Sequence, residues 1–128
     1  MQHDMLSDVL SAIKNADKVG KKEVITSSSK MIKEVLLILQ AGKYIGEFEF
    51  IDDKRGGKFR IKLLNIVNNC GSIRPRFAVK SNGYEKYERR FLPAAGFGFL
   101  IVSTSKGIMK HADAKNQELG GKLLAFCY

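Results

Sequence analysis

The sequence predicts an α+β protein, in which an N-terminal lobe of order α-β-α-β-β packs against a mainly β C-terminal lobe with a short helix. Three observations support this class. Apolar residues recur at helical spacing in some segments, and others alternate apolar with charged residues in the manner of half-buried strands. A dense run of turn-forming residues at 68–72 separates two such groups. We therefore expect lobes at residues 1–68 and 69–128, with no flexible linker between them.

The first lobe is predicted to begin with an amphipathic helix, because apolar residues recur from Met5 to Ile13 before a polar stretch that ends at Gly20. A short strand follows at residues 23–26, and the three serines at 27–29 offer N-cap hydroxyls to a second helix. Gly42 is expected to end that helix from the C′ position.

The next segments of the first lobe alternate apolar and charged residues, which predicts strands at residues 45–51 and 58–63. Residues 52–57 have hairpin composition. In the second lobe we expect extended chain at 73–80, one or two helical turns at 84–90 and an apolar strand at 98–103. A short helix at 112–119 and a closing strand at 122–128 complete the order.

The charge of the chain is unevenly distributed. Its 128 residues include 22 Lys and Arg against 13 Asp and Glu, a formal net charge of +9. Residues 1–50 contain seven basic and seven acidic side chains, whereas residues 51–100 contain eleven and four. This distribution favours a directed contact with a polyanion, most often a nucleic acid. A solvated basic face or attraction to an acidic membrane surface is the alternative.

Several function classes have no support in the sequence. No apolar run approaches the ~20 residues of a membrane span, and no secretory signal is visible. Cys70 and Cys127 are far apart and suit a reducing, intracellular compartment. Together with His3 and His111 they show no zinc-site spacing, and carboxylates are sparse in the basic half. We therefore expect no metal, no cofactor, no small-molecule substrate and no catalysis, and we interpret His111 as a helix-start residue.

The sharpest local feature is a run of three hydroxyls and an amine, Ser103, Thr104, Ser105 and Lys106, followed by Gly107 at the end of an apolar strand. Hydroxyls and backbone N–H groups at a glycine turn suit phosphate, sugar and base edges. A solvated Ser/Thr turn is the alternative. The Ser-x-x-Lys spacing of some acyl-transfer enzymes is also present, but the two further motifs of those enzymes are absent.

Aromatic residues and cations are interleaved at 84–91, a composition that stacks on unpaired bases or follows a sugar-phosphate backbone. Tyr84 and Tyr87 are the candidate contacts; the alternative is that Tyr87 and Phe91, four residues apart, pack as helix core while the charges are solvated. Phe91 lies four residues after Tyr87 and is better explained as helix core. Arg74 and Arg76 flank Pro75, and in an extended segment both guanidinium groups lie on one face, which suits phosphates.

Taken together, these motifs show a resemblance that covers nearly the whole chain. The chain resembles the small-ribosomal-subunit protein of the universal eighth family, in its archaeal and eukaryotic form. The resemblance is carried by Ile13-Lys14-Asn15-Ala16, Gly20-Lys21-Lys22, Ser29-Lys30, residues 44–53, Asn69-Cys70-Gly71, Pro75-Arg76-Phe77, Leu92-Pro93, and the signature that runs from Val102 to Met109 and returns at Gly120-Gly121-Lys122.

The resemblance implies a structural, non-catalytic protein of the cytoplasmic small ribosomal subunit. Such a protein binds a helical junction in the central domain of small-subunit ribosomal RNA, supports its folding, and contacts neighbouring ribosomal proteins. By the same resemblance, Ser103, Thr104, Ser105 and Lys106 enter an RNA minor groove and Gly107, Gly120 and Gly121 support them, while Ser29 and Lys30 contact the RNA backbone. The resemblance assigns Tyr84 and Tyr87 to RNA contacts less specifically, because their segment aligns less cleanly with the family.

The sequence departs from the family pattern at three places. Ala95 and Lys110 stand where relatives usually have an Arg and an acid, and Ser27-Ser28 replaces a stretch that is often basic residue-Pro. Lys110 is a poor N-cap for the helix that follows. A free regulator of messenger RNA is the alternative function within the binding class, and an acyl-transfer enzyme is a distant third.

Overall fold

The computed structural model describes residues 5–74, 76–94 and 96–128. The chain forms two compact units, one that ends at Cys70 and one that spans Gly71–Tyr128. Helices and strands occur in both units, and strands predominate in the second. The α+β class predicted from the sequence is confirmed.

The first unit has the predicted α-β-α-β-β order. Its elements are α1 (Met5–Lys18), β1 (Glu23–Ser27), α2 (Lys30–Ala41), β2 (Ile45–Ile51) and β3 (Lys58–Leu63). The three strands form an antiparallel sheet of order β1-β3-β2. Phe59, Ile61 and Leu63 of β3 are buried while the intervening cations are exposed, as the alternation predicts. Burial of each such side chain contributes about 1.5 to 3 kcal/mol.

Helix α1 continues five residues beyond Ile13, through the polar stretch that was expected to end it. The reason is Asp17, which is buried in the last turn. One carboxylate oxygen accepts the Asn65 N–H at 2.8 Å and the other accepts the Val67 N–H at 3.0 Å. A polar residue thus belongs to the inward face because distant backbone donors need an acceptor there.

The ends of α2 are fixed by a side-chain cap and a Schellman motif. Ser29 is the N-cap, and its hydroxyl accepts the Ile32 N–H at 3.1 Å. The prediction that Gly42 occupies the C′ position is wrong by one residue: Gly42 has φ −79° and is the C-cap, and Lys43 adopts the left-handed φ of 64°. The N–H of Tyr44 bonds Leu39 O at 3.0 Å and that of Lys43 bonds Gln40 O at 2.9 Å.

The second unit is built around a mainly antiparallel sheet. Its elements are β4 (Cys70–Ser72, beginning at the boundary residue), β5 (Ala78–Val79), α3 (Tyr84–Phe91), β6 (Phe99–Thr104), β7 (Gly107–Lys110), α4 (His111–Asn116) and β8 (Gly121–Cys127). The strand order is β4-β8-β6-β7, and β5 also pairs with β8. Its core comprises Ile73, Val79, Tyr84, Leu92, Leu100, Val102, Ala114 and Leu123.

Three features of this unit differ from the sequence prediction. Residues 70–72 form a strand within the run interpreted as a turn, and β7 was not predicted at all. Helix α4 begins at His111 and ends at Asn116, three residues before the predicted end. Among the described residues, no helix is long and apolar enough to cross a membrane.

Replacing Lys43 with Gly is expected to stabilise the protein by about 1 kcal/mol, because glycine adopts the left-handed conformation without the Cβ penalty. Urea unfolding followed by circular dichroism measures the change. Lys33→Gly is the matched control: Lys33 lies inside α2, and glycine there should destabilise by about 1 kcal/mol. A destabilised Lys43→Gly variant would contradict the role of the left-handed residue.

Candidate nucleic-acid interface

The hydroxyl-rich segment forms the tip of a β-hairpin. Thr104 pairs with Gly107 across β6 and β7, and Ser105 and Lys106 form the two-residue turn between them. The Thr104 hydroxyl donates to Gly107 O at 2.8 Å and accepts the Lys106 N–H at 3.1 Å. Gly107 supports the turn with a φ of 114°. The Ser/Thr turn considered from the sequence is therefore present, and Thr104 is the residue that makes it.

The other three polar side chains of the tip are not used inside the protein. Ser105 and Lys106 are exposed and Ser103 is half-buried. Within the described residues, the Ser103 and Ser105 hydroxyls form no hydrogen bond and the Lys106 amine forms no ion pair. One hydroxyl thus holds the turn, while two hydroxyls and one amine remain available to a ligand.

The glycine pair Gly120-Gly121, at the start of β8, allows three strands to approach closely beside this tip. Gly121 lies opposite Thr104 on one side and Val79 on the other. A Cβ on Gly121 would overlap the Ser103 carbonyl oxygen, and one on Gly120 would lie 2.5 Å from Val79 O. Both positions therefore require glycine. The resulting register places Lys122 directly opposite Ser103.

Lys122 is exposed and was not among the residues predicted from the sequence. The sequence did contain an indication that Lys122 could be a site residue, because it is a cation that directly follows the Gly-Gly pair at the start of a predicted strand. Only the pairing partner identifies it as a neighbour of the hydroxyl tip, and partners across a sheet cannot be read from a single strand.

The two tyrosines have structural surroundings. Tyr84 is only 1% exposed, and its hydroxyl donates to Leu119 O at 2.9 Å, directly before the glycine pair. Burial raises the pKa of Tyr84 above its ordinary value. Tyr87 is half-buried, with its ring centroid 5.4 Å from that of Phe77 and the Lys86 amine 5.7 Å from its own. Phe91 stacks on Phe126, in keeping with its interpretation as core.

The remaining predicted site residues lie apart from the hairpin in the sequence. Arg74 and Arg76 are exposed, but Pro75 between them lies outside the described residues, as do Ala95 and His3. Ser29 and Lys30 belong to the first unit, where Ser29 caps α2 and Lys30 is its exposed first residue. The structure thus brings together Ser103 to Gly107 with Gly120 and Gly121.

A second polar cluster joins three elements of the same unit. His111, at the start of α4, accepts the Leu100 N–H of β6 on Nδ1 at 3.0 Å. A backbone N–H can only donate, so Nδ1 is unprotonated and Nε2 carries the proton that it donates to Glu88 Oε1 of α3 at 2.8 Å. Lys115 Nζ binds the other Glu88 oxygen at 3.3 Å. His111 is therefore a structural tie at the start of its helix.

Burial opposes ionisation of Glu88, but the hydrogen bonds from His111 and Lys115 outweigh it, so the pKa of Glu88 lies below its ordinary value of 4.5. Lys110 is the N-cap of α4 and makes no side-chain cap hydrogen bond, as its residue type predicts. Its amine lies 5.5 Å from the centroid of the Phe99 ring instead.

A cavity of about 710 Å³ adjoins this cluster, lined by residues of α3, the segment that follows it, the start of β6, the end of β7, and α4. Glu88 and His111 are already hydrogen-bonded to each other and to their neighbours, and neither is left as a free base. No group of three His, Cys, Asp or Glu in the described ranges could hold a metal ion.

Polar groups on a hairpin among surrounding cations are features that nucleic-acid-binding proteins share. A family model described as Ribosomal protein S8 matches residues 4–128. The proteins named small ribosomal subunit protein uS8 from Picrophilus torridus, Thermoplasma acidophilum and Thermoplasma volcanium are each 50% identical over 129 residues, covering 100% of both chains. The chain therefore belongs to the ribosomal protein S8 family.

Replacing Glu88 with Gln should destabilise the protein by about 1 to 2 kcal/mol at pH 7, because charged hydrogen bonds are lost. The folded-state pKa of Glu88 is lowered, so its stabilisation is present above pH 4.5 and is lost as the pH falls through that folded pKa. The difference between wild type and variant should therefore vanish in acid. Urea unfolding across pH 3 to 7 measures it.

Glu85→Gln is the matched control for this experiment, because Glu85 forms an exposed pair with Arg89 on the same helix. Exposed pairs contribute about 0 to 1 kcal/mol. Equal effects of the two substitutions at every pH would show that the tie through His111 does not stabilise the fold.

Proposed function

We propose that this chain binds the central domain of small-subunit ribosomal RNA through the β6–β7 hairpin and supports the folding and assembly of that domain. As a member of the ribosomal protein S8 family it is a structural component of the small ribosomal subunit and not an enzyme. Its place is accordingly in translation, with the cytoplasmic ribosome and the neighbouring proteins of the subunit.

The observation that carries the proposed contact is the division of the hydroxyls at the hairpin tip. Thr104 bonds the turn, whereas Ser103 and Ser105 keep their hydrogen-bonding capacity for a ligand. The major groove of an A-form helix is too deep and narrow for side chains, but its minor groove presents 2′-hydroxyls and base edges. Two short hydroxyls, one on the turn and one near the end of β6, suit such a groove.

Charge supports the same assignment. The unit Gly71–Tyr128 contains ten Lys and Arg against four Asp and Glu. Lys106 is on the hairpin tip, Lys122 is opposite Ser103, and Arg76 is exposed in the segment before β5. These cations attract the phosphate backbone without reading its sequence.

The other candidate residues take separate roles in the proposal. Gly107, Gly120 and Gly121 set the backbone of the site, and Tyr84 positions the glycine pair through its bond to Leu119 O. Tyr87 offers the exposed part of a ring packed on Phe77. Arg74 and Arg76 are assigned to phosphates. Ser29 and Lys30 form a contact to the RNA backbone from the first unit.

The alternative, a free regulator of messenger RNA, uses the same chemistry and differs in where the protein resides. Sucrose-gradient sedimentation of a cell extract separates the two. We expect the protein to remain with the small subunit after a high-salt wash. A pool that sediments free, or with messenger RNA alone, would contradict the ribosomal assignment.

Ser105→Ala is expected to weaken binding to a central-domain RNA fragment by about 1 to 2 kcal/mol, because a directed hydrogen bond is lost. Circular dichroism should show an unchanged fold. Ser11→Ala, at an exposed hydroxyl on α1, is the matched control and should leave the affinity unaltered. Thr104→Ala should weaken binding and also lower stability, because it removes both hydrogen bonds of the turn.

Lys106→Gln and Lys122→Gln should each lower the slope of log affinity against log salt by about 0.7 to 0.9, the effect of one lost phosphate contact. Binding titrations at salt concentrations from about 50 to about 300 mM measure the slope. Lys18→Gln, at the exposed end of α1, is the control and should leave it unchanged. Slopes unaltered in both variants would place these cations away from the RNA.

A further inference from the structure

The first unit exposes an aromatic ring that its own core does not need. Phe50, near the end of β2, is 58% exposed. It lies opposite Phe59 of β3, with ring centroids 6.0 Å apart and ring planes at 71°. Phe59 is buried and closes the core at this end of the sheet. The outer part of the Phe50 ring therefore projects beyond the packed interior.

The ring is seated on the backbone of the β2–β3 hairpin. Gly57 has φ 82°, and a Cβ there would overlap Cε1 and Cζ of Phe50 and lie 3.2 Å from Ser28 Oγ. The Ser28 hydroxyl in turn donates to Gly56 O at 2.8 Å. The ring thus occupies the space that any side chain at position 57 would need. A ring held in this way gives up little conformational freedom when something stacks on it.

The hairpin beside the ring binds its carboxylates to its own backbone N–H groups and leaves its cations without ion pairs among the described residues. Asp52 accepts the Lys54 N–H at 2.9 Å. Asp53 accepts the N–H groups of Arg55 at 2.9 Å and Gly57 at 3.0 Å, and these bonds hold the pKa of Asp53 below its ordinary value of 3.8. Lys54 and Arg55 are exposed, and neither forms an ion pair with any residue that the structure describes.

We propose that Phe50, Lys54 and Arg55 form a stacking platform for an unpaired nucleotide of RNA, with the base on the ring and its phosphates at the cations. Aromatic rings beside cations bind single-stranded nucleic acid in this way, because every base has a π face. The platform lies in the first unit and is separate in the sequence from the β6–β7 hairpin. It rests on the proposed function, since the RNA it contacts is the same ribosomal RNA.

An isolated ring suits a base better than it suits a protein partner. A stable protein interface buries about 800 Å² on each side. On the same face of this sheet, Phe59 and Thr26 are buried and Phe48 is half-buried, so Phe50 contributes the exposed apolar surface largely alone. One base covers one ring, and the adjacent positive charges complement its phosphates.

The test measures binding of the full chain to a central-domain RNA fragment. Phe50→Leu retains an apolar side chain but removes the π face, and should weaken binding roughly tenfold with no change in salt slope. Phe50→Tyr keeps the ring and should bind as the wild type does. Phe97→Leu is the matched control, because Phe97 is 48% exposed and belongs to the second unit; it should leave affinity unchanged.

A second readout identifies the contact directly. Ultraviolet crosslinking followed by mass spectrometry should join Phe50 to an unpaired nucleotide, and the Phe50→Leu variant should lose that crosslink. Arg55→Gln should lower the salt slope by about 0.7 to 0.9. Circular dichroism of each variant monitors folding.

The outcomes distinguish this proposal from the proposed function. If the wild type binds the fragment and Phe50→Leu binds equally well without losing a crosslink, the platform is refuted while the hairpin contact stands. Equal losses in Phe50→Leu and Phe50→Tyr would assign the ring to packing and also refute the platform. If Phe50→Leu instead loses binding to another protein of the subunit and keeps its RNA affinity, the surface is a protein contact. Failure of the wild type to bind the fragment would overturn both proposals.

Discussion

The close approach of two backbones, at Ser103 in β6 and Gly121 in β8, is the constraint on which the candidate interface depends. Any side chain at Gly121 would overlap the Ser103 carbonyl oxygen, so β8 can pair with β6 in this register only because that residue is glycine. The same residue pairs with Val79 on its other side. Tyr84 secures the chain just before it through Leu119 O. Strand β8, which lies beside β6 in the sheet, therefore holds the hairpin tip in place.

The three hydroxyls at the hairpin tip have similar chemistry but different roles, and their positions along the hairpin decide which of them bonds to the backbone. Thr104 is the last residue of β6, where its hydroxyl reaches both Gly107 O and the Lys106 N–H. Ser105 is in the turn and Ser103 is one residue earlier in the strand, and neither reaches those backbone groups. The sequence offered two interpretations, a Ser/Thr turn and a ligand contact. They are compatible, because satisfying the turn with one hydroxyl leaves the others available to a ligand.

The sequence predicted those elements whose pattern is local. The alternation of β3 and the Ser29 cap of α2 are examples, since each depends on spacing within one element. The sequence prediction failed where contacts between residues far apart in the sequence determine the structure. Asp17 extends α1 because the N–H groups of Asn65 and Val67 need an acceptor, and β7 exists because residues 107–110 pair with β6. The burial of Tyr84 likewise depends on a core assembled from several elements. Composition at 84–91 favoured an exposed aromatic segment, but composition does not say which ring turns inward.

The groups that supply the net charge differ from those to which the proposed function assigns specificity. The cations outnumber the acids in both units, and several acids are turned toward backbone donors, as Asp17 and Asp53 are, so the positive side chains dominate what a partner meets. Such a field attracts any polyanion over a distance set by salt. It cannot choose among RNA sites, because phosphates are alike. Choice requires groups of fixed direction, and Thr104 and the glycines around it fix the direction in which the hairpin hydroxyls point. Under the proposed function, the ribosomal site is therefore selected by the backbone beneath two serines, while the charge determines how readily that site is found.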